Sequence, residues 1–122
     1  MAGMSSDETQ VTYVSDEDMQ AGLATAREYV IGLLYQGPTY HDEGARKIIW
    51  EHGRRNFGLR ADGVLNVVCP VMDSSELCGV GIFDASADEV EAILQSDPGV
   101  AAGVFRYEVH PCRSFPGDAL AG

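Results

Sequence analysis

The chain is short of positive charge. Against 19 aspartates and glutamates it carries 8 lysines and arginines, for a formal net charge of −11. Nucleic-acid binding needs a basic face to neutralise phosphates, so no nucleic-acid partner is expected. Long apolar runs are also missing: no stretch approaches the roughly 18 residues of a membrane span, and no membrane partner is expected. The N-terminus has no basic segment followed by an apolar one, as a secretory signal would. Cysteine is scarce, with Cys69, Cys78 and Cys112 forming an odd set that lacks a CxxC spacing. That pattern predicts reduced thiols and a cytoplasmic location rather than a disulfide framework. Histidine is equally sparse. His41, His52 and His110 have no compact ligand spacing, so no metal site is expected. Gly79 and Gly81 do not make a phosphate loop, because the next helical pattern starts well beyond them. No cofactor is expected.

What is present suits a single globular domain: 122 residues, 45% apolar and 22% charged. The charge is unevenly spread. Five of the acids fall in the first 20 residues, and five of the eight basic residues lie between Arg46 and Arg60.

The stretch from Asp42 to Asp62, DEGARKIIWEHGRRNFGLRAD, predicts one long amphipathic helix. At 100° per residue, with Ile48 at zero, Leu59 falls near roughly 20°, Ile49 near 100°, Phe57 near 180° and Trp50 near 200°. Arg54, Glu51, Asp62 and Arg55 occupy roughly 240° to 340°. His52 and Asn56 land at roughly 40° and 80°, inside the apolar arc. A buried imidazole and a buried amide need partners, because leaving one unpaired costs about 1–3 kcal/mol.

Residues 1 to 14 are polar and aperiodic, and fraying is expected there. Ser15, with Asp18 three positions on, caps a predicted helix over 16–26. Tyr29–Tyr35 predicts a buried first strand, ended by Gln36-Gly37-Pro38. After the long helix and Gly63 come a second strand, Val64–Val68, which Pro70 is expected to end, and a third, Leu77–Phe83. The glycines of that third strand suggest close approach of a helix or a second subunit. Ser86 and Glu89 form a capping box for a helix ending at Asp97-Pro98. One further turn follows, with Asp97 as its N-cap and Pro98 in its first position. Val104–His110 alternates as a half-buried strand, and a loop-like tail ends the chain.

The order from Tyr29 is β-α-β-β-α-β, the ferredoxin-like split unit: an α+β fold with a four-stranded antiparallel sheet and an extra N-terminal helix. The division expected is 1–28 as a polar extension, 29–113 as the α+β domain and 114–122 as a tail. Two helices cover one face of four strands. The first three strands read apolar on both faces, so a homodimer packed face to face, a dimeric α+β barrel, is expected.

His52, then Arg60-Ala61-Asp62-Gly63-Val64-Leu65 running to Cys69-Pro70, then Gly79-Val80-Gly81-Ile82-Phe83-Asp84, Ser96-Asp97-Pro98-Gly99-Val100-Ala101-Ala102-Gly103 and Glu108-Val109-His110-Pro111, together resemble the YCII-related family. The resemblance spans roughly Tyr29 to Arg113. It implies the dimeric ferredoxin-like fold and a site pairing His52 with Asp97. Characterised members include dehydrochlorinases of chlorinated hydroxyhydroquinones, and related barrels include muconolactone isomerases. Cys69 stands where the family commonly has Gly, and Cys112 where it has Trp after His-Pro. A transferred substrate is therefore unsafe.

A carboxylate that accepts from one imidazole nitrogen fixes the tautomer and leaves the other nitrogen to move a proton. That suits isomerisation, or elimination of HX, next to a carbonyl or enol. Asn56, one turn after His52, is a candidate to orient a small-molecule ligand or His52 itself. Arg55 is a candidate for a substrate carboxylate, and Tyr40 and His41 for a pocket lip. Cys69 at the strand end is a weaker candidate, since a nucleophile needs a lowered pKa and a neighbouring base. Each has a plain alternative: solvated arginine, ordinary loop, structural cysteine. The rival for the pair itself is a non-catalytic binding module or ligand sensor in which His52 and Asp97 only hold the helix in place. A cleft of order 300 Å³ or more beside His52 would favour a ligand site, and a filled core the structural role.

Overall fold

The computed structural model describes residues 10–122. The expectation of fraying over 1–14 falls mostly on residues outside that range. Residues 10–14 are exposed and lack regular structure. The chain divides into two compact units. One comprises the segment up to Arg27 with the tail from Phe115; the other is Glu28–Ser114.

In the first unit, α1 (Asp16–Leu23) starts where Ser15 Oγ accepts from the Asp18 backbone N–H at 3.1 Å. Asp16, Glu17 and Asp18 lie in its first turn, at the positive end of the helix dipole. It ends three residues before the expected Ala26, and none of its residues is buried.

Apart from Arg27, the first residue of β1, the second unit holds β1 (Arg27–Gln36), α2 (Ala45–Ala61), β2 (Leu65–Pro70), β3 (Leu77–Phe83), α3 (Ala87–Gln95), α4 (Pro98–Ala101) and β4 (Phe105–Ser114). It is an α+β unit with a four-stranded open sheet in the order β2-β3-β1-β4, antiparallel where β3 pairs with β1 and β2. Helix α3 begins with a full capping box between Ser86 and Glu89. Helix α2 begins three residues later than its charge pattern suggests. Tyr40 and Asp42 are held in turns by Gly37 and Thr39, and the N-cap Gly44 adopts φ 97°, a left-handed conformation that glycine takes without a steric penalty.

β2 ends at Pro70 as expected, whereas β4 runs on through Pro111 to Ser114, past the expected end at His110. Both are edge strands, where a missing N–H leaves no ladder bond unmade on the outer side.

The core lies between one face of the sheet and the helices. Val30, Leu34, Leu65, Phe83 and Phe105 pack with Val90 and Leu94 of α3, and Ile48, Ile49 and Leu59 of α2 close over them. Phe105, Tyr107 and Val109 point into this core, while Arg106, Glu108 and His110 are exposed. The buried arc of α2 is narrower than the apolar residues imply. Ala45 and His52 are buried, whereas Trp50 is 71% and Phe57 62% exposed. Apolar character set by composition thus overstates the contact surface, because β2 reaches only part of the way around the helix.

Candidate functional site at His52 and Asp97

Asp97 arrives at the site through backbone punctuation. Helix α3 stops at Gln95, Asp97 turns extended, and Pro98 starts α4 with φ already fixed. One carboxylate oxygen, Oδ2, accepts from Gly99 N–H at 2.9 Å and Val100 N–H at 3.3 Å, capping α4. The other, Oδ1, faces α2 and lies 2.8 Å from His52 Nδ1. Asp97 is 1% exposed and His52 8%. Gly99 allows this arrangement, because a Cβ there would stand 2.5 Å from the Phe105 ring. That ring in turn packs on the His52 imidazole, with centroids 4.8 Å apart.

Burial is the largest single influence on Asp97 and pushes its pKa up. The hydrogen bond and charge of His52, with the N–H groups of Val100 and Gly99, together outweigh it, and the carboxyl is held below its ordinary value. Asp97 is therefore an acceptor, and His52 Nδ1 carries the hydrogen. With the hydrogen on Nδ1, a lone pair at Nε2 faces the Asn56 side-chain amide, which donates at 3.1 Å. No buried side-chain nitrogen or oxygen among the described residues lacks a partner.

A cavity of about 270 Å³ opens beside this pair. Its roof is the α2 stripe Ile49, His52, Gly53, Asn56 and Phe57, and one end is closed by Tyr40, Cys78 and Phe105. Its floor is β-sheet stripped of side chains: Gly32 and Gly81 stand opposite one another between β1 and β3, with Gly79 next along. The close approach expected from the glycines of β3 is by side chains of the same sheet. A Cβ on Gly81 would lie 2.9 Å from Leu65 Cδ1, and one on Gly32 2.8 Å from Phe83 Cε1. Val68, Cys69 and Pro70 of β2 form the rim.

The candidate residues separate accordingly. His52, Asn56, Tyr40 and Cys69 all border the cavity with Asp97 behind His52, whereas Arg55 and His41 do not. Arg55 donates to Ile93 O and Ser96 Oγ, each at 2.8 Å, and its guanidinium stands 3.6 Å from Asp97 Oδ1. His41 is exposed and meets the Tyr40 ring edge-on at 5.0 Å. His110 lies on the exposed side of β4, 3.3 Å from Glu108.

Tyr40 was legible as a lip residue, but its partner Cys78 was not. Burial, then the charge and hydrogen bond of Cys78, raise the Tyr40 pKa. Burial raises that of Cys78, partly offset by Tyr40 and Arg106. Both stay protonated near neutrality, so Tyr40 is a hydrogen-bond donor at the wall and Cys78 is no thiolate nucleophile. Phe105 and Gly32 were also missed; the glycines of LCGVGIF were the one signal in the sequence that a floor without side chains lay here.

Among the described residues no group of three or more His, Cys, Asp or Glu side chains is arranged to hold a metal ion, and no helix is long and apolar enough to cross a membrane. No protein-family model matches this chain, and no curated protein matches it.

Proposed function

We propose that this is a YCII-related protein acting as a lyase or isomerase that uses no cofactor and moves a proton on a small unsaturated or aromatic-derived carbonyl compound. The observation that carries the proposal is a cavity of about 270 Å³ against a buried His52–Asp97 pair bonded at 2.8 Å. A volume near the lower end of small-molecule sites favours a ligand over a filled core. Asp97 holds the tautomer and would stabilise the imidazolium formed when Nε2 takes a proton. Nδ1 is committed to Asp97, so Nε2 is the nitrogen left for transfer. Tyr40, protonated at the cavity wall, is suited to donate to the oxygen of a developing enolate.

The strand order β2-β3-β1-β4, with α2 and α3 on one face, supports the ferredoxin-like arrangement. Ile31, Leu33 and Ile82 lie on the other face, outside the core, and support a homodimer joined through the sheets. Sedimentation showing a monomer at micromolar concentration would remove the dimer. The three free thiols support a reducing, cytoplasmic setting.

A rival reading takes the pair as structural, within a binding module or sensor, and one observation favours it: Asn56 already occupies Nε2. The test is chloride release from chlorinated hydroxyhydroquinones, with deuterium uptake from heavy water by any product. His52→Gln should abolish turnover in protein that remains folded, with a stability loss no larger than the His52–Asp97 hydrogen bond is worth, about 1.5–3 kcal/mol. A variant that loses stability, in a protein showing no turnover to lose, supports the structural role instead.

A further inference from the structure

The cavity and the outer surface of α2 share a wall. Ile49, Gly53 and Phe57, at positions i, i+4 and i+8, border the cavity on one side. On the other they border a shallow groove completed by Arg46, Trp50 and Arg54. Around the helix the order is His52 and Asn56 at roughly 40° to 80°, the shared stripe at 100° to 180°, then Trp50 and Arg54 at 200° to 240°. A path from His52 to solvent therefore crosses Gly53. No atom lies within 4 Å of where its Cβ would be, so packing does not require glycine there. In a helix interior glycine is the least favourable residue after proline, and its effect here is to leave the passage open.

The groove is lined as a ligand surface is lined. Single exposed apolar residues are ordinary, but Trp50 at 71% and Phe57 at 62% exposure flank one depression. Arg46, one turn before Trp50, makes no ion pair among the described residues. Among the described residues Arg54 pairs with the exposed Glu51 at 3.0 Å, a pair that solvent weakens. Positive charge beside an apolar groove, in a chain of net charge −11, selects an anion. A second copy laid antiparallel on the same groove would set arginines against arginines.

We infer that the site takes an elongated amphipathic anion: its reacting end beside His52, an apolar arm over Gly53 and between Trp50 and Phe57, and a carboxylate or similar group at Arg46. The identity of the reacting end rests on the proton-transfer reading; the binding of the arm does not.

Trp50 is the single tryptophan, so its emission reports on the groove alone. The full chain is titrated with decanoate and with decan-1-ol, both below their aggregation limits. The expected result is a saturable blue shift, with decanoate bound about tenfold more tightly, as one charge-assisted contact allows. Arg46→Gln should erase that preference, and Gly53→Val should weaken both probes about tenfold or more. Valine is a better helix former than glycine, so unfolding is not the expected cause; circular dichroism checks this. His52→Gln should bind decanoate within about twofold of the wild type, which separates arm binding from chemistry. No saturable shift, equal binding of acid and alcohol, or undiminished binding by Gly53→Val each overturns the inference. So does a probe-free dimer that dissociates on Trp50→Ala, since the groove would then hold a second copy. If turnover depends on His52 while the probes do not bind, the elongated ligand is wrong and the acid–base reading stands.

Discussion

Asn56 donates its side-chain amide to His52 Nε2, 3.1 Å away and one turn further along α2. The nitrogen needed for proton transfer therefore already accepts from Asn56. Imidazolium would carry a hydrogen at Nε2 and face the amide hydrogens of Asn56. The amide must then turn to present its oxygen, or yield its place to a ligand.

This contact makes a prediction about tautomers. Long-range proton–nitrogen spectra of the imidazole should show hydrogen on Nδ1 in the wild type, and Asn56→Leu should keep that assignment because Asp97 sets it. Asp97→Leu should release it, giving a mixture. A wild-type ring protonated at Nε2 would contradict the hydrogen-bond pattern.

Asp97 does two jobs through its two oxygens, and the substitutions divide them. Asp97→Ala loses the α4 cap, worth about 1 kcal/mol, and a buried charged hydrogen bond worth about 1.5–3 kcal/mol. A loss of about 3 kcal/mol is expected in urea unfolding, with the slope unchanged. Asp97→Asn keeps an acceptor for the cap and should lose less. Equal losses would mean that the cap carries nothing.

The pH dependence has a definite sign. Asp97 in the fold lies below its ordinary carboxylate value, while in the unfolded chain it titrates near about 3.9. A depressed folded pKa contributes stability above the unfolded value, and that contribution is lost as pH falls through the folded pKa. The wild type should therefore outlast Asp97→Asn near neutrality, and the gap should narrow as pH drops below about 4. Urea midpoints at several pH values read it directly; a constant gap would assign the stabilisation to something other than ionisation.

Two glycines of the cavity floor should respond differently to alanine. At Gly79 a Cβ meets only Cys69 O at 3.6 Å, an ordinary contact, so Gly79→Ala should fall within about 0.5 kcal/mol of the wild type. At Gly32 it meets the buried Phe83 ring at 2.8 Å, so Gly32→Ala should cost about 1–3 kcal/mol. Thermal unfolding of the pair checks the order.

Arg55 holds α2 to the end of α3 rather than facing the cavity. Arg55→Ala should destabilise by about 1–2 kcal/mol, allowing for its partial exposure. Arg55→Lys should restore only part of this, because a single ammonium does not span both acceptors. Full rescue by lysine would reduce the role of Arg55 to its charge.

Local signals in the chain determined the element order. Ser15, Ser86 with Glu89, Asp97-Pro98 and Gly63 each mark a helix end through hydrogen bonds or φ values that act within a few residues. The 100° periodicity likewise put His52 in the buried arc, and the alternation of Phe105, Tyr107 and Val109 oriented the last strand. The tertiary structure alone decided what these side chains meet. Trp50 and Phe57 are apolar yet exposed, because the width of a buried arc depends on where β2 passes under α2. Arg55 turns to Ile93 O, and Asn56 to its own neighbour His52. Gly32 faces Gly81 only because the β1–β3 register sets them opposite. Periodicity reports the direction of a side chain from its own backbone; partners distant in sequence are set by strand register and helix crossing, which no single segment encodes.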